Sequence, residues 1–201
     1  MKQNKKKIIG LTGTIAAGKS TVAAYLREQH GVPTLDADEV NREVLDVQQV
    51  KDTLVGHFGL GIIDRNGKIN RPALAYLVFQ DEKEKDYLTS VTWPVIVAAI
   101  TAWIEKTEGE LLIVEAIDLL KTTLPGGMDE IWVVTAPEEE RLRRLKENRG
   151  MTEEEARARI ASQWSDEEYI ERATRVIDSG CEMKVFLRRI ERAYRRARRS
   201  R

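Results

Sequence analysis

The sequence holds a single cysteine, Cys181, in 201 residues. No disulfide can therefore form within the chain, and a reducing compartment suits it. No histidine lies near Cys181 in sequence, so its reading is a packing or surface thiol rather than a nucleophile. An excess of either charge sign is also missing. Lysine plus arginine and aspartate plus glutamate each number 33, which gives no support for bulk nucleic-acid binding. No apolar run approaches the roughly 20 residues of a membrane span. The apolar stretch behind the basic start, residues 1–7, is too short for a signal peptide. The lysines there read as a solvated lead-in. There is no internal repeat, and no low-complexity segment beyond the two basic ends. These absences point to a soluble, cytoplasmic chain without a nucleic-acid or membrane partner.

Against this, 42% of the residues are apolar, enough for a sizeable core in one domain with a small inserted or lid subdomain. The chain is organised around Gly13-Thr14-Ile15-Ala16-Ala17-Gly18-Lys19-Ser20-Thr21, which fits the phosphate-binding pattern G-x-x-x-x-G-K-[ST]. A short apolar run, Ile8 to Thr12, precedes it as a buried strand. Helical spacing at Val22, Tyr25 and Leu26 follows it, so the motif has its strand–loop–helix context. Gly13 and Gly18 permit backbone angles closed to other residues, and successive N–H groups can then face an anion at a helix N-terminus. Lys19 is placed to reach the β- and γ-phosphates of ATP, and the Ser20 hydroxyl to ligand Mg²⁺.

Gly31 to Asp38 reads as a turn, a second strand and an acidic strand end. A period of two puts Asp36 and Asp38 on one side, at the carboxyl end of a parallel strand where ligands bind. One could accept the proton of an attacking hydroxyl and the other hold Mg²⁺ through water. The alternative is that they cap the helix beginning near Glu39. Spacing alone does not rank the two.

Residues 39–58 read as one helix, 59–69 as loop and turn, and Pro72 as the opening of a helix carrying Leu74, Leu77 and Phe79. Residues 81–87 are charged and exposed, and Val91 to Ile104 is apolar and helical despite Pro94, with Trp93 and Trp103 as core residues. Glu110 to Ala116 is a third strand containing Glu115, and Glu130 to Ala136 a fourth. Strands alternating with helices predict a parallel α/β sheet. Residues 138–163 predict a helical hairpin with a capping box at Thr152 to Glu155. Its arginines suit a lid that closes on phosphates, with Arg144 and Arg149, flanking the break, the strongest candidates. Val176 to Asp178 is a last strand, and Val185 to Arg199 a basic helix with one apolar face.

The chain resembles the dephospho-CoA kinase family over nearly its whole length. The phosphate loop carries part of the resemblance. Asp36-Ala37-Asp38, the block from Phe58-Gly59 through Asn66 to Arg71 and Val78 to Asp81, and the lid block Arg144-Leu145, Gly150, Thr152 to Ala156 and Arg159 to Gln163 carry the rest. Ala16-Ala17 stand where that family usually has Gly-Ser, Trp93-Pro94 where it has His-Pro, and Ser179-Gly180 near its Asn-x-Gly. The resemblance implies a P-loop kinase-like three-layer sandwich as one domain. It implies an acceptor-binding helical region at about 58–106 and a lid at about 138–163. The implied reaction moves the γ-phosphate of ATP to the ribose 3′-hydroxyl of dephospho-CoA, with Asp38 as base, Asp36 near the metal, and Lys19 and Arg144 on the phosphates. A nucleoside, nucleotide or sugar acceptor on the same fold is the alternative.

Overall fold

The structure, a computed structural model, describes residues 6–78 and 80–200. Phe79 and the first five residues of the basic lead-in lie outside the described residues. The chain divides into two compact units, one made of residues up to Asp36 together with those from Thr107 onward, the other of Ala37–Lys106. The region read as acceptor-binding falls in the second.

The first unit begins with β1 (Lys7–Thr12), α1 (Lys19–His30) and β2 (Thr34–Asp36). Lys7, read as part of the solvated lead-in, instead opens β1, because its N–H donates to the Glu110 carbonyl at 2.9 Å and it pairs with Leu111; Glu130 lies 2.7 Å from its ammonium. In the second unit, α2 (Ala37–Val44), α3 (Gln48–Phe58) and α4 (Arg71–Val78) pack against α5 (Glu82–Lys106). The single helix expected over 39–58 is thus two, broken at residues 45–47. The helix also starts at Ala37, so Asp38 is not a strand residue and the period-two pairing with Asp36 does not apply. Asp38 and Glu39 occupy the first turn of α2, where carboxylates complement the helix dipole.

The charged stretch 81–87 is mostly the first turns of α5 rather than a separate segment. By length and composition α5 is apolar enough to span a bilayer, although no such run stood out in the sequence. Its buried residues are Thr92, Ile96 and Ile100. Trp93 and Trp103 are only half-buried, so they are not core residues of this unit.

The chain returns to the first unit with β3 (Leu111–Glu115), β4 (Glu130–Thr135), α6 (Glu138–Arg149), α7 (Glu153–Ala161), α8 (Asp166–Glu171), β5 (Arg175–Asp178) and α9 (Met183–Arg199). The helix α8 is additional to the elements read from sequence. The capping box Ser165-Asp166-Glu167-Glu168 that opens it is the signal that marks it. All strand pairs are parallel, in the order β2-β3-β1-β4-β5. The strands β1, β3 and β4 are buried almost throughout, as a sheet covered on both faces requires.

On one face Ile9, Leu11, Ile113, Trp132, Val134 and Ile177 pack with α1 and α9 in one apolar cluster. The basic helix α9 contributes Phe186, Ile190, Ala193, Tyr194 and Ala197 to it, and Cys181 is a partly buried neighbour. The other face meets the short helical turn at Leu119–Lys121, Met128 and α8. These layers gather the carboxyl ends of the strands, and with them the phosphate loop, at one edge of the sheet.

Candidate active site

The phosphate loop links β1 to α1, and its shape follows from a few residues. Gly13 takes φ 137°, and a Cβ there would lie 2.1 Å from the Val134 carbonyl oxygen. No residue with a side chain fits. Gly18 precedes α1 with φ 104°; no side chain caps this helix and no acid occupies its first turn. Its N-terminus therefore keeps the anion-attracting character of a helix start. Among the described residues Ala16 alone is a non-glycine with positive φ, at 59°. The Lys19 side chain is buried in the loop, where its ammonium donates to the carbonyls of Gly13 at 2.8 Å and Thr14 at 3.3 Å. Ser20, the next residue, is exposed.

The α6–α7 hairpin and the start of α8 are seated on this loop. Ile15 packs with Leu142, Leu145 and Ala156, and Ala16, Met151 and Ile160 flank them. The Ile15 N–H donates to Gln163 Oε1 at 2.7 Å, and the Thr14 hydroxyl to Asp166 Oδ1 at 3.1 Å. Buried Arg141 lies 3.6 Å from Asp166 and donates to the Ala136 carbonyl. Arg143 pairs with half-buried Glu140 and with Glu147, and Arg157 with Glu153 and Glu138 at the exposed surface. Arg143, Arg144 and Arg149 line a cavity of about 630 Å³ together with Ser20, Thr21 and Phe186.

Arg144 is held by several groups at once. It donates to Glu140 Oε1 at 2.9 Å, to the Ala16 carbonyl at 3.0 Å, and to the hydroxyl and carbonyl of Ser179 at 2.9 and 3.0 Å. Hydrogen bonding from Arg143, reinforced by the charge of Arg144, lowers the Glu140 carboxyl to about 2. Gln163, Asp166 and Ser179 were not read from the sequence as site residues. Their partners are far away in the chain, and only the cap at Ser165 hints at one of them.

The acidic side of the site is set by register. Asp36 at the end of β2 stands opposite Glu115 on β3, which in turn stands opposite Leu11 on β1. Asp36 therefore ends a strand at the same edge as the phosphate loop, while Asp38 belongs to α2. Among the described residues no three His, Cys, Asp or Glu side chains form a metal cage. The hard oxygen donors of Ser20 and Asp36 suit Mg²⁺, which keeps waters and takes phosphate oxygens instead of filling an all-protein site.

A parallel sheet, a glycine-shaped phosphate loop with a buried lysine, and an arginine-bearing helical hairpin seated on that loop define a P-loop kinase. The family model for dephospho-CoA kinase matches residues 7–184. The dephospho-CoA kinase of Geobacillus kaustophilus is 41% identical over 175 residues, covering 85% of this chain and 87% of the relative. That of Trichormus variabilis is 34% identical over 187 residues, covering 92% and 95%. A Thermus thermophilus crystal structure aligns with a TM-score of 0.86 at 32% identity, covering 95% of this chain and 97% of that one. A shikimate kinase from Acinetobacter baumannii, 16% identical with a TM-score of 0.52, shares the fold. The chain belongs to the dephospho-CoA kinase family.

Proposed function

We propose a division of labour among this chain's residues for the reaction of its family, the ATP-dependent phosphorylation of dephospho-CoA that completes coenzyme A biosynthesis. The backbone of Gly13 to Thr21 cradles the ATP phosphates at the start of α1. Lys19 leaves the Gly13 and Thr14 carbonyls for the β- and γ-phosphates, where charge spreads in the transition state. When bound, Mg²⁺ supplies neutralisation of charge on the phosphate oxygens, held by Ser20, with Asp36 reaching it through water.

Asp38 takes the proton of the ribose 3′-hydroxyl as that oxygen bonds to the γ-phosphorus. The bond from phosphorus to the bridging oxygen breaks, and its electrons leave with ADP. The α6–α7 hairpin, with Arg144 and Arg149, acts as the lid over the nucleotide cavity and excludes water. The helical region at about 58–106 holds the acceptor's pantetheine arm. Exposed Leu60, Tyr76 and Leu77 give that region apolar surface to offer. The substrates are small molecules, and a cytoplasmic setting suits both the ATP supply and the single thiol.

The observation that carries this reading is buried Lys19 inside a glycine-shaped loop whose helix has no side-chain cap. The test of the base is Asp38→Asn. Removal of a positioned base costs about 10²–10⁴-fold in rate, so kcat should fall by that order while KM for ATP holds steady. A normal kcat with weakened ATP binding would instead make Asp38 a binding group.

A further inference from the structure

We propose that Ser179 is a positioning residue for phosphate transfer, setting Arg144 and the phosphate loop in register through one buried hydroxyl. This rests on the reading of the cavity beside Ser20 as the nucleotide site. Ser179 follows β5 and is 1% exposed. Its N–H donates to the Thr135 carbonyl at 2.8 Å, which fixes its backbone to the end of β4. A hydroxyl has one proton and two lone pairs. Here the proton goes to the Ala17 carbonyl at 2.5 Å, and a lone pair accepts from Arg144 Nη1 at 2.9 Å. The Ser179 carbonyl accepts from Arg144 Nη2 at 3.0 Å.

These bonds determine what Arg144 can do. Its five N–H groups include one given to Glu140, one to the Ala16 carbonyl and two to Ser179. The fifth, on Nη2, has no partner among the described residues, and Arg144 lines the cavity. Arg144 thus acts on a nucleotide through one aimed N–H and its charge. Ser179 supplies the aim, and the same hydroxyl holds the loop at Ala17. A Cβ on Gly18 would lie 3.4 Å from this hydroxyl, so three consecutive loop positions, 16 to 18, meet this one network. Ser179-Gly180 is one of the places where the chain departs from the pattern it otherwise resembles, so the network belongs to this chain's own residues.

Besides a control variant, the test uses the full chain and four others: Ser179→Ala, Ser179→Thr, Arg144→Lys and the double variant Ser179→Ala/Arg144→Lys. Loss of a hydrogen bond to a charged group should raise KM for ATP about tenfold in Ser179→Ala, with KM for dephospho-CoA unchanged. Ser179→Thr keeps the hydroxyl and should recover most of the loss. The double variant should be no worse than Arg144→Lys alone, because both substitutions break one unit. A purely structural role would lower the melting midpoint of the nucleotide-free protein and leave KM for ATP unchanged, and that result overturns the proposal. So do losses that multiply in the double variant. Lys19→Ala serves as the control: if it retained activity, the nucleotide-site reading itself would fail, whereas an inactive Lys19→Ala beside an unaffected Ser179→Ala would count against Ser179 alone.

Discussion

Ala16 turns the loop through φ 59°, a conformation that costs an L-residue about 1–2 kcal/mol. The hydrogen bond from Arg144 to its carbonyl at 3.0 Å is of a kind worth about 1.5–3 kcal/mol, enough to hold the strain. A β-branched side chain tolerates this angle far less well than alanine. Ala16→Val should therefore lose about 1–3 kcal/mol of stability, read from denaturant midpoints. An unchanged midpoint would mean that residue 16 is not left-handed. At Lys19 the expectation concerns chemistry instead. Its ammonium is bonded to two loop carbonyls, and an alanine there removes the charge that meets the phosphates. Lys19→Ala should abolish phosphate transfer while circular dichroism shows an intact fold, and wild-type turnover would remove this loop from the mechanism.

The α6–α7 hairpin shows what a single element carries. Its first helix presents Glu140 to Arg143 and Arg144, which lower the Glu140 carboxyl from 4.5 to about 2. A depressed pKa in the folded state stabilises the protein above the unfolded value and is lost as pH falls through the folded one. Wild type and Glu140→Gln should thus differ in unfolding midpoint above pH 4.5 and converge as pH approaches about 2. A gap that stays constant over that window would mean the carboxyl is not held low.

The elements were legible where the signal was local. The loop motif, the apolar runs of β1, β3 and β4, and the Thr152 capping box all sit in short windows of sequence. The turn from β2 into α2 is not legible, because a three-residue strand leaves no periodicity to measure, and Asp38 falls on the helix. The contacts from Ile15 to Gln163, from Arg144 to Ala16 and from Arg144 to Ser179 span 148, 128 and 35 positions. No pattern along the chain announces a hydrogen bond between residues so far apart.

For the whole molecule, the second unit, Ala37–Lys106, is one continuous insertion between β2 and β3. The phosphate loop and the expected acceptor region are thus separate in the chain, as suits a kinase that must recognise a long acceptor. Contacts remote from the reacting hydroxyl raise transition-state binding. Dephospho-CoA should therefore far outrun adenosine as acceptor at matched concentrations, with phosphorylated product measured for each. Equal turnover would deny the second unit any part in recognition.

The same insertion sets a timetable for synthesis. The strand β1 pairs with β3 and β4, and β2 with β3, so neither has a sheet partner until the chain has been extended past Leu111. At about 5–20 residues per second, the apolar segment from Ile8 to Leu11 waits on the order of 5–20 s after it is made. The central strand of the sheet is made before either of its neighbours, yet it must be among the later ones to find its place.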